Sequence, residues 1–218
     1  MQNSSQNSPV LYDDFCLWAK SYVGPKFNFL HCDFPPKTPD QEYWNLFSHF
    51  GGYLDNFLSH SAHVMFWFSP QDYDETLHML RAMGLSVLPT PVIWHKTGGP
   101  REAPREEKIP YSSYETAFIA SRGNREFLRF APNIYGCPTV SNRRHPFQKP
   151  ESMLRHFMKF MVDEFTSVLD PACGSGSALK VAEELGAKSI LGIEKNFAYA
   201  EIARARVLQG RTLQQVGG

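Results

Sequence analysis

Asp170-Pro171-Ala172-Cys173-Gly174-Ser175-Gly176 stands between a short apolar run, Thr166 to Leu169, and a segment of helical pattern, Gly176 to Leu185. A second apolar run, Ser189 to Ile193, follows and ends at Glu194. Strand, glycine-bearing turn, helix, strand and acid together read as a nucleotide-binding βαβ unit. Glycines at the strand-to-helix turn let backbone approach a ligand that a Cβ would exclude. An acid ending the next strand can accept hydrogen bonds from both hydroxyls of a ribose, and Glu194 follows Gly174 at about the 20 residues expected of it. Gly-x-Gly alone also fits an ordinary tight turn. The third glycine of Gly-x-Gly-x-x-Gly is missing, which disfavours a dinucleotide.

Working outward, the chain alternates strands and helices. Phe27 to Cys32 is a strand that must stop at Asp33-Phe34-Pro35-Pro36, because prolines cannot donate to a sheet ladder. Asp40 to Leu58 has helical spacing with a weak point at Gly51-Gly52, and His63 to Phe68 is a buried strand. Ser69-Pro70 starts a helix running to Met83, whose early acids suit a positive helix end. Ser86 to His95 is a strand broken by Pro89 and Pro91, Lys96 to Pro110 a loop, and Tyr114 to Ser121 a strand. Arg122 to Arg144 is irregular, Pro150 opens a helix to Asp163, and Ala198 to Leu208 is the last helix. This spacing predicts an α/β fold, a mostly parallel doubly wound sheet with helices on both faces.

The 218 residues are 42% hydrophobic and 14% aromatic, enough for one sizeable core. Residues 1–9 are polar and read as a disordered tail, leaving 10–218 as a single domain. Lys+Arg and Asp+Glu both number 22, which excludes a uniformly basic nucleic-acid binder and leaves local stretches for phosphate contact, the Arg101 to Lys108 loop and the outward-pointing members of Arg143 to Lys159. The four cysteines are far apart, with no C-x-x-C pair, so a reducing cytoplasm is the simplest home. No apolar run approaches a membrane span, and His63 and His95 have no ligand-spaced companions, so neither membrane nor metal is expected.

The string Asp170 to Gly176 also resembles the S-adenosylmethionine-binding turn of the DNA N6-adenine/N4-cytosine amino-methyltransferases. His145-Pro146-Phe147-Gln148-Lys149-Pro150 is similar to that family's His-Pro-x-Gln-Lys-Pro motif, and Gly192-Ile193-Glu194-Lys195-Asn196 to its second motif. Asp33-Phe34-Pro35-Pro36 resembles its catalytic Asp-Pro-Pro-Tyr. With the catalytic motif first and the cofactor motif last, the order is that of the beta class. The resemblance spans about Val10 to Leu208 and implies a Rossmann-like S-adenosylmethionine-dependent methyltransferase, with a catalytic half over about 10–144 and a cofactor-binding half over about 145–210.

What the resemblance implies for the site is specific. Glu194 would hold the ribose, with Lys195 beside it; His145, Gln148 and Lys149 would face the methionine end of the cofactor, and Asp14 its adenine. Asp33 and the Phe34 carbonyl would accept the N–H groups of the target amino nitrogen, with the prolines holding that carbonyl rigid. Its lone pair is delocalised into the ring, so two acceptors favour a pyramidal nitrogen that can attack. The target base must leave its stack. Asp33 resembles the adenine type; methylation of cytosine N4, RNA or a protein amide is the alternative chemistry. Pro36 stands where the family has Tyr or Phe, which leaves a catalytically impaired binding subunit as a further alternative, unless Phe34 takes over the stacking. The expected partners are DNA and either a second copy or a chain that supplies specificity, in the cytoplasm of a bacterium or a phage-infected cell.

Overall fold

The computed structural model describes residues 8–35, 40–98 and 113–216; side chains at 40–42 and 210–216 are not described. Pro36, residues 1–7 of the expected tail and most of the loop from Lys96 to Pro110 lie outside the described residues.

Nine strands among the described residues form one sheet. They are β1 (Val10–Tyr12), β2 (Phe27–Cys32), β3 (Leu58–Phe68), β4 (Ser86–Val87), β5 (Val92–Lys96), β6 (Tyr114–Arg122), β7 (Ile134–Cys137), β8 (Ser167–Asp170) and β9 (Ser189–Glu194). The order is β1-β9-β8-β2-β3-β6-β5-β7, with β4 on β6. Pairing is parallel from β1 to β3 and again between β5 and β7; β6 is antiparallel to β3, β4 and β5. The mostly parallel sheet expected from the sequence is therefore correct, with β6 as its antiparallel insertion. β2 and β8 are neighbours, so Asp33 and the turn after Asp170 emerge side by side at the carboxyl ends of parallel strands. Open α/β sheets bind ligands at that edge.

The helices are α1 (Phe15–Ser21), α2 (Asp40–Gly52), α3 (Leu54–Phe57), α4 (Tyr73–Ala82), α5 (Glu151–Met158), α6 (Ser177–Glu184) and α7 (Phe197–Val216). Side chains alternate across the sheet. Leu30, Val64, Phe66 and Phe118 join Phe15, Phe47, Phe50, Phe57 and Leu80 from α1 to α4 on one face. Phe29, Met65, Trp67 and Val168 join Leu154, Phe157 and Val181 from α5 and α6 on the other.

Several boundaries differ from the sequence expectation. The helix over 40–58 breaks after Gly52 into α2 and α3, at the weak point its glycines mark. β3 begins five residues early, at buried Leu58; Ser59, His60 and Ser61 after it are polar and at least partly exposed, which hides the strand pattern, but β2 and β6 pair along it. The strand over 86–95 is two strands, parted by the proline segment. The helix expected from Ser69 opens as a 3-10 turn, Pro70–Asp72, before α4. β7 falls in the stretch read as irregular: it is a short edge strand, half exposed and interrupted by Gly136, so no apolar run announces it. α5 stops at Met158 and α7 runs on to Val216.

Candidate active site

A cleft of about 1220 Å³ opens at the carboxyl ends of β2, β8 and β9. Asp14, Asp33, Phe34, Pro35, His145, Gln148, Lys149, Asp170, Pro171, Ala172, Cys173, Gly174, Ser175, Glu194 and Lys195 all line it. Gly176 does not; it lies behind the wall against α7.

The turn is built by its own backbone. Asp170 Oδ1 accepts from Ala172 N–H at 3.2 Å, and Gly176 N–H donates to Cys173 O at 2.8 Å. Gly174 has φ +52, a conformation strained for any side chain, and an added Cβ would lie in ordinary contact with the His145 ring at 3.4 Å. Gly176 has φ +76, and a Cβ there would meet Ala203 of α7 at 2.9 Å. Both positions need glycine, one for the cleft and one for helix packing. Glu194 uses both carboxylate oxygens: Oε2 accepts from Gly174 N–H at 2.9 Å and Oε1 from Asn196 N–H at 2.8 Å. Burial pushes its pKa up, against the pull of these two bonds. Each oxygen retains a lone pair for a further donor. A buried acceptor beside a glycine bare to the cleft fits the ribose of a nucleoside ligand.

Asp14 caps α1, accepting from Cys16 and Leu17 N–H at 2.8 and 3.3 Å, and half-exposed it also borders the cleft. Gln148 turns back on its own loop, its Oε1 accepting from Arg144 N–H at 2.9 Å. His145 packs edge-on against Tyr199, and burial lowers its pKa.

One expectation changes and one is narrowed. Phe34 cannot take over base stacking: it is buried, with Phe15, Phe50 and Phe66 at 5.5 to 6.2 Å around its ring, so the aromatic core already covers it. The basic stretch from Arg143 to Lys159 is not one outward face. Arg143 and Arg144 are exposed, Arg155 pairs with Glu184, and Lys149 is buried.

Lys149 turns toward the ends of β2, β3 and β6. Its ammonium donates to Asp33 Oδ1 and to Glu115 Oε2, both at 2.8 Å, and sits 4.8 Å from the centroid of the Trp67 ring. Glu115 Oε1 also meets Lys96 Nζ at 2.7 Å. Burial alone raises a carboxyl pKa, but Lys149 and Lys96 outweigh it and the Glu115 pKa is lowered. Burial likewise works against the charge on Lys149, and Asp33 and Glu115 reverse it, so its pKa is raised.

A second chain of contacts joins the halves below. Trp67 Nε1–H donates to His31 Nε2 at 3.1 Å, and His31 Nδ1 meets Asp170 Oδ2 at 2.9 Å. Indole nitrogen only donates, so His31 carries its proton on Nδ1 and gives it to Asp170. His31 is absent from the site predicted by sequence; Trp67 reads there as core packing, and Tyr114-Glu115 resembles the family's strands around the target-base pocket without a role for Glu115. A histidine inside the apolar run Phe27–Cys32, two residues before Asp33 and on the same face, was the available signal. Among the described residues, no three His, Cys, Asp or Glu side chains gather as a metal site, and no helix is long and apolar enough to cross a membrane.

A family model for N6/N4 methyltransferases, described as DNA methylase, matches residues 12–205. Type II methyltransferase M2.LlaDCHI of Lactococcus lactis subsp. cremoris is 41% identical over 69 residues, 32% of this chain and 25% of that protein. The chain thus matches only a quarter of that relative's length. The crystal structure of the M1.HpyAVI–SAM complex superimposes with a TM-score of 0.75 over 91% of this chain and 98% of that one, at 18% identity. PvuII DNA methyltransferase, cytosine-N4-specific, gives 0.72 over 95% and 90%, at 15% identity. At these identities the two structures establish the shared fold.

Proposed function

The chain belongs to the N6/N4 DNA methylase family, and on that premise we propose that it is an S-adenosyl-L-methionine-dependent DNA methyltransferase acting on an exocyclic amino group, adenine N6. One observation carries this: Asp33 and the Asp170–Glu194 turn reach a single cleft from neighbouring parallel strands. Glu194 and the backbone around Gly174 would hold the nucleoside part of the cofactor, and His145 and Gln148 would border its methionine end. When bound, the cofactor supplies an electrophilic methyl group. Asp33 accepts an N–H of the extruded base and the Phe34 carbonyl accepts the other, so the nitrogen lone pair points at the incoming carbon. Positioning and fixed charges do the catalytic work. Arg143, exposed and lining the cleft, would meet a DNA phosphate, and exposed Arg144 stands next to it in the chain.

The test is incubation with labelled S-adenosylmethionine and mixed-sequence DNA, then nucleoside mass spectrometry. N6-methyladenine is expected; N4-methylcytosine alone would overturn the choice of base. Pro36 favours a second reading, a cofactor-binding subunit without catalysis. Base–aromatic stacking is worth ~1–3 kcal/mol, so Pro36→Tyr should raise turnover by about ten- to a hundredfold. A silent Pro36→Tyr with intact cofactor binding supports the subunit.

Glu194→Ala should weaken S-adenosylmethionine binding by about 1.5–3 kcal/mol, the scale for hydrogen bonds to a charged group. Calorimetry giving equal affinity for wild type and variant would remove Glu194 from the cofactor site.

A further inference from the structure

Four chain segments converge on one ammonium. Lys149 arrives from the segment before α5, Asp33 from the end of β2, Trp67 from β3 and Glu115 from β6. The Lys149 side chain is 8% exposed, against 22% for Asp33 and 33% for Glu115, so the cation is the innermost member. A lysine has three N–H donors. Here they meet two carboxylate oxygens at 2.8 Å and an aromatic face, the full complement of partners for a buried ammonium. In this arrangement Lys149 is directed toward Asp33, the residue that would receive the target amino group.

We propose that Lys149 is a positioning residue for Asp33, a buried clamp held in place by Glu115 and Trp67, and not a ligand of the cofactor's methionine carboxylate. The proposal rests on Asp33 being the acceptor for the amino group. Lys149 engages Oδ1 of Asp33, and a carboxylate can accept through both oxygens, so the clamp fixes the group without blocking it. Without Glu115 the ammonium would sit wholly on Asp33 and neutralise it. Shared between two carboxylates, with Lys96 on the other oxygen of Glu115, it leaves the four groups without net charge. The Asp33 carboxylate lies in the cleft where a methyl group passes from a sulfonium cation to a nitrogen that becomes positive, and it favours the cation over its neutral thioether product.

The distinguishing measurement is the affinity of the full chain for S-adenosylmethionine relative to S-adenosylhomocysteine, which differ in charge and share the methionine carboxylate. Lys149→Met should bind S-adenosylmethionine within threefold of wild type or tighter, and shift the ratio at least threefold toward the cation. Glu115→Gln keeps the Lys149–Asp33 pair, and so tests the same idea if Lys149→Met does not fold; it should shift the ratio the other way. Where DNA turnover is measurable, Lys149→Met should cut the single-turnover rate at least tenfold at saturating cofactor, with partial rescue by Lys149→Arg. A tenfold loss of affinity for both ligands at constant ratio would make Lys149 a carboxylate ligand and overturn the proposal; unchanged affinities with an unchanged ratio in both variants would overturn it too. If the ratio shifts while wild type methylates no DNA, the clamp stands and the assignment of activity fails.

Discussion

Asp33→Ala lowers the rate of methyl transfer at least ~10²-fold at saturating cofactor. Asp33 follows β2 directly, on the sheet face it shares with His31 and Trp67, and it lines the cleft beside the Asp170 turn. Removing its carboxylate takes one acceptor from the amino group in the transition state. Loss of one preorganised electrostatic contact of this kind costs about 3 kcal/mol, or two powers of ten in rate. The variant also leaves Lys149 with Glu115 as its remaining carboxylate among the contacts described above, so the cleft gains positive charge where the nitrogen becomes cationic. Both changes slow the chemical step, and neither touches Glu194 or the Gly174 backbone. Single-turnover rates at saturating cofactor, with calorimetry on the same samples, separate rate from binding. A wild-type rate in the variant would remove Asp33 from the active site.

The second large effect concerns acid stability. His63 lies in the middle of β3, completely buried, with the Phe127 ring stacked on it at 4.6 Å. Burial, and after it the charge of Arg125, lower its pKa from 6.5 to about 4. The folded protein therefore keeps His63 neutral at pH values where the unfolded chain has already taken up a proton. The depressed pKa makes the unfolded state bind more protons, so stability falls as pH drops from about 6.5 toward 4. The full loss is about 3 kcal/mol, and about 2 kcal/mol of it appears between pH 7 and 5. Urea unfolding at the two pH values measures it directly. His63→Leu should abolish this part of the pH dependence; an unchanged slope in that variant would show that His63 carries none of it.

The local sequence was informative wherever a few adjacent residues do the physical work. The Asp170–Gly176 turn needs glycines for positive φ, the strand before Asp33 must end at prolines, and Glu194 ends the strand after the turn. From these the doubly wound fold and both halves of the cleft could be placed. β7 was hidden because it is a four-residue edge strand interrupted by Gly136, and the early start of β3 because Ser59, His60 and Ser61 break its apolar run.

The sequence by itself thus determined the βαβ unit and many of the residues that line the cleft, though not His31, Trp67 or Glu115, and it placed Gly176 there, which lies behind the wall. Only the tertiary structure decided which charges meet. Asp33, Trp67, Glu115 and Lys149 lie on four segments dozens of residues apart, and sheet pairing brings them within reach of one another. Lys149 follows a glutamine in a helix-entry motif, where nothing local distinguishes a solvent-facing cation from a buried one. Its direction is set by two carboxylates on distant strands, whose attraction outweighs the cost of burying the ammonium. The same holds for Phe34: its sequence neighbours leave it free to stack on a base, and three phenylalanines from other elements enclose it.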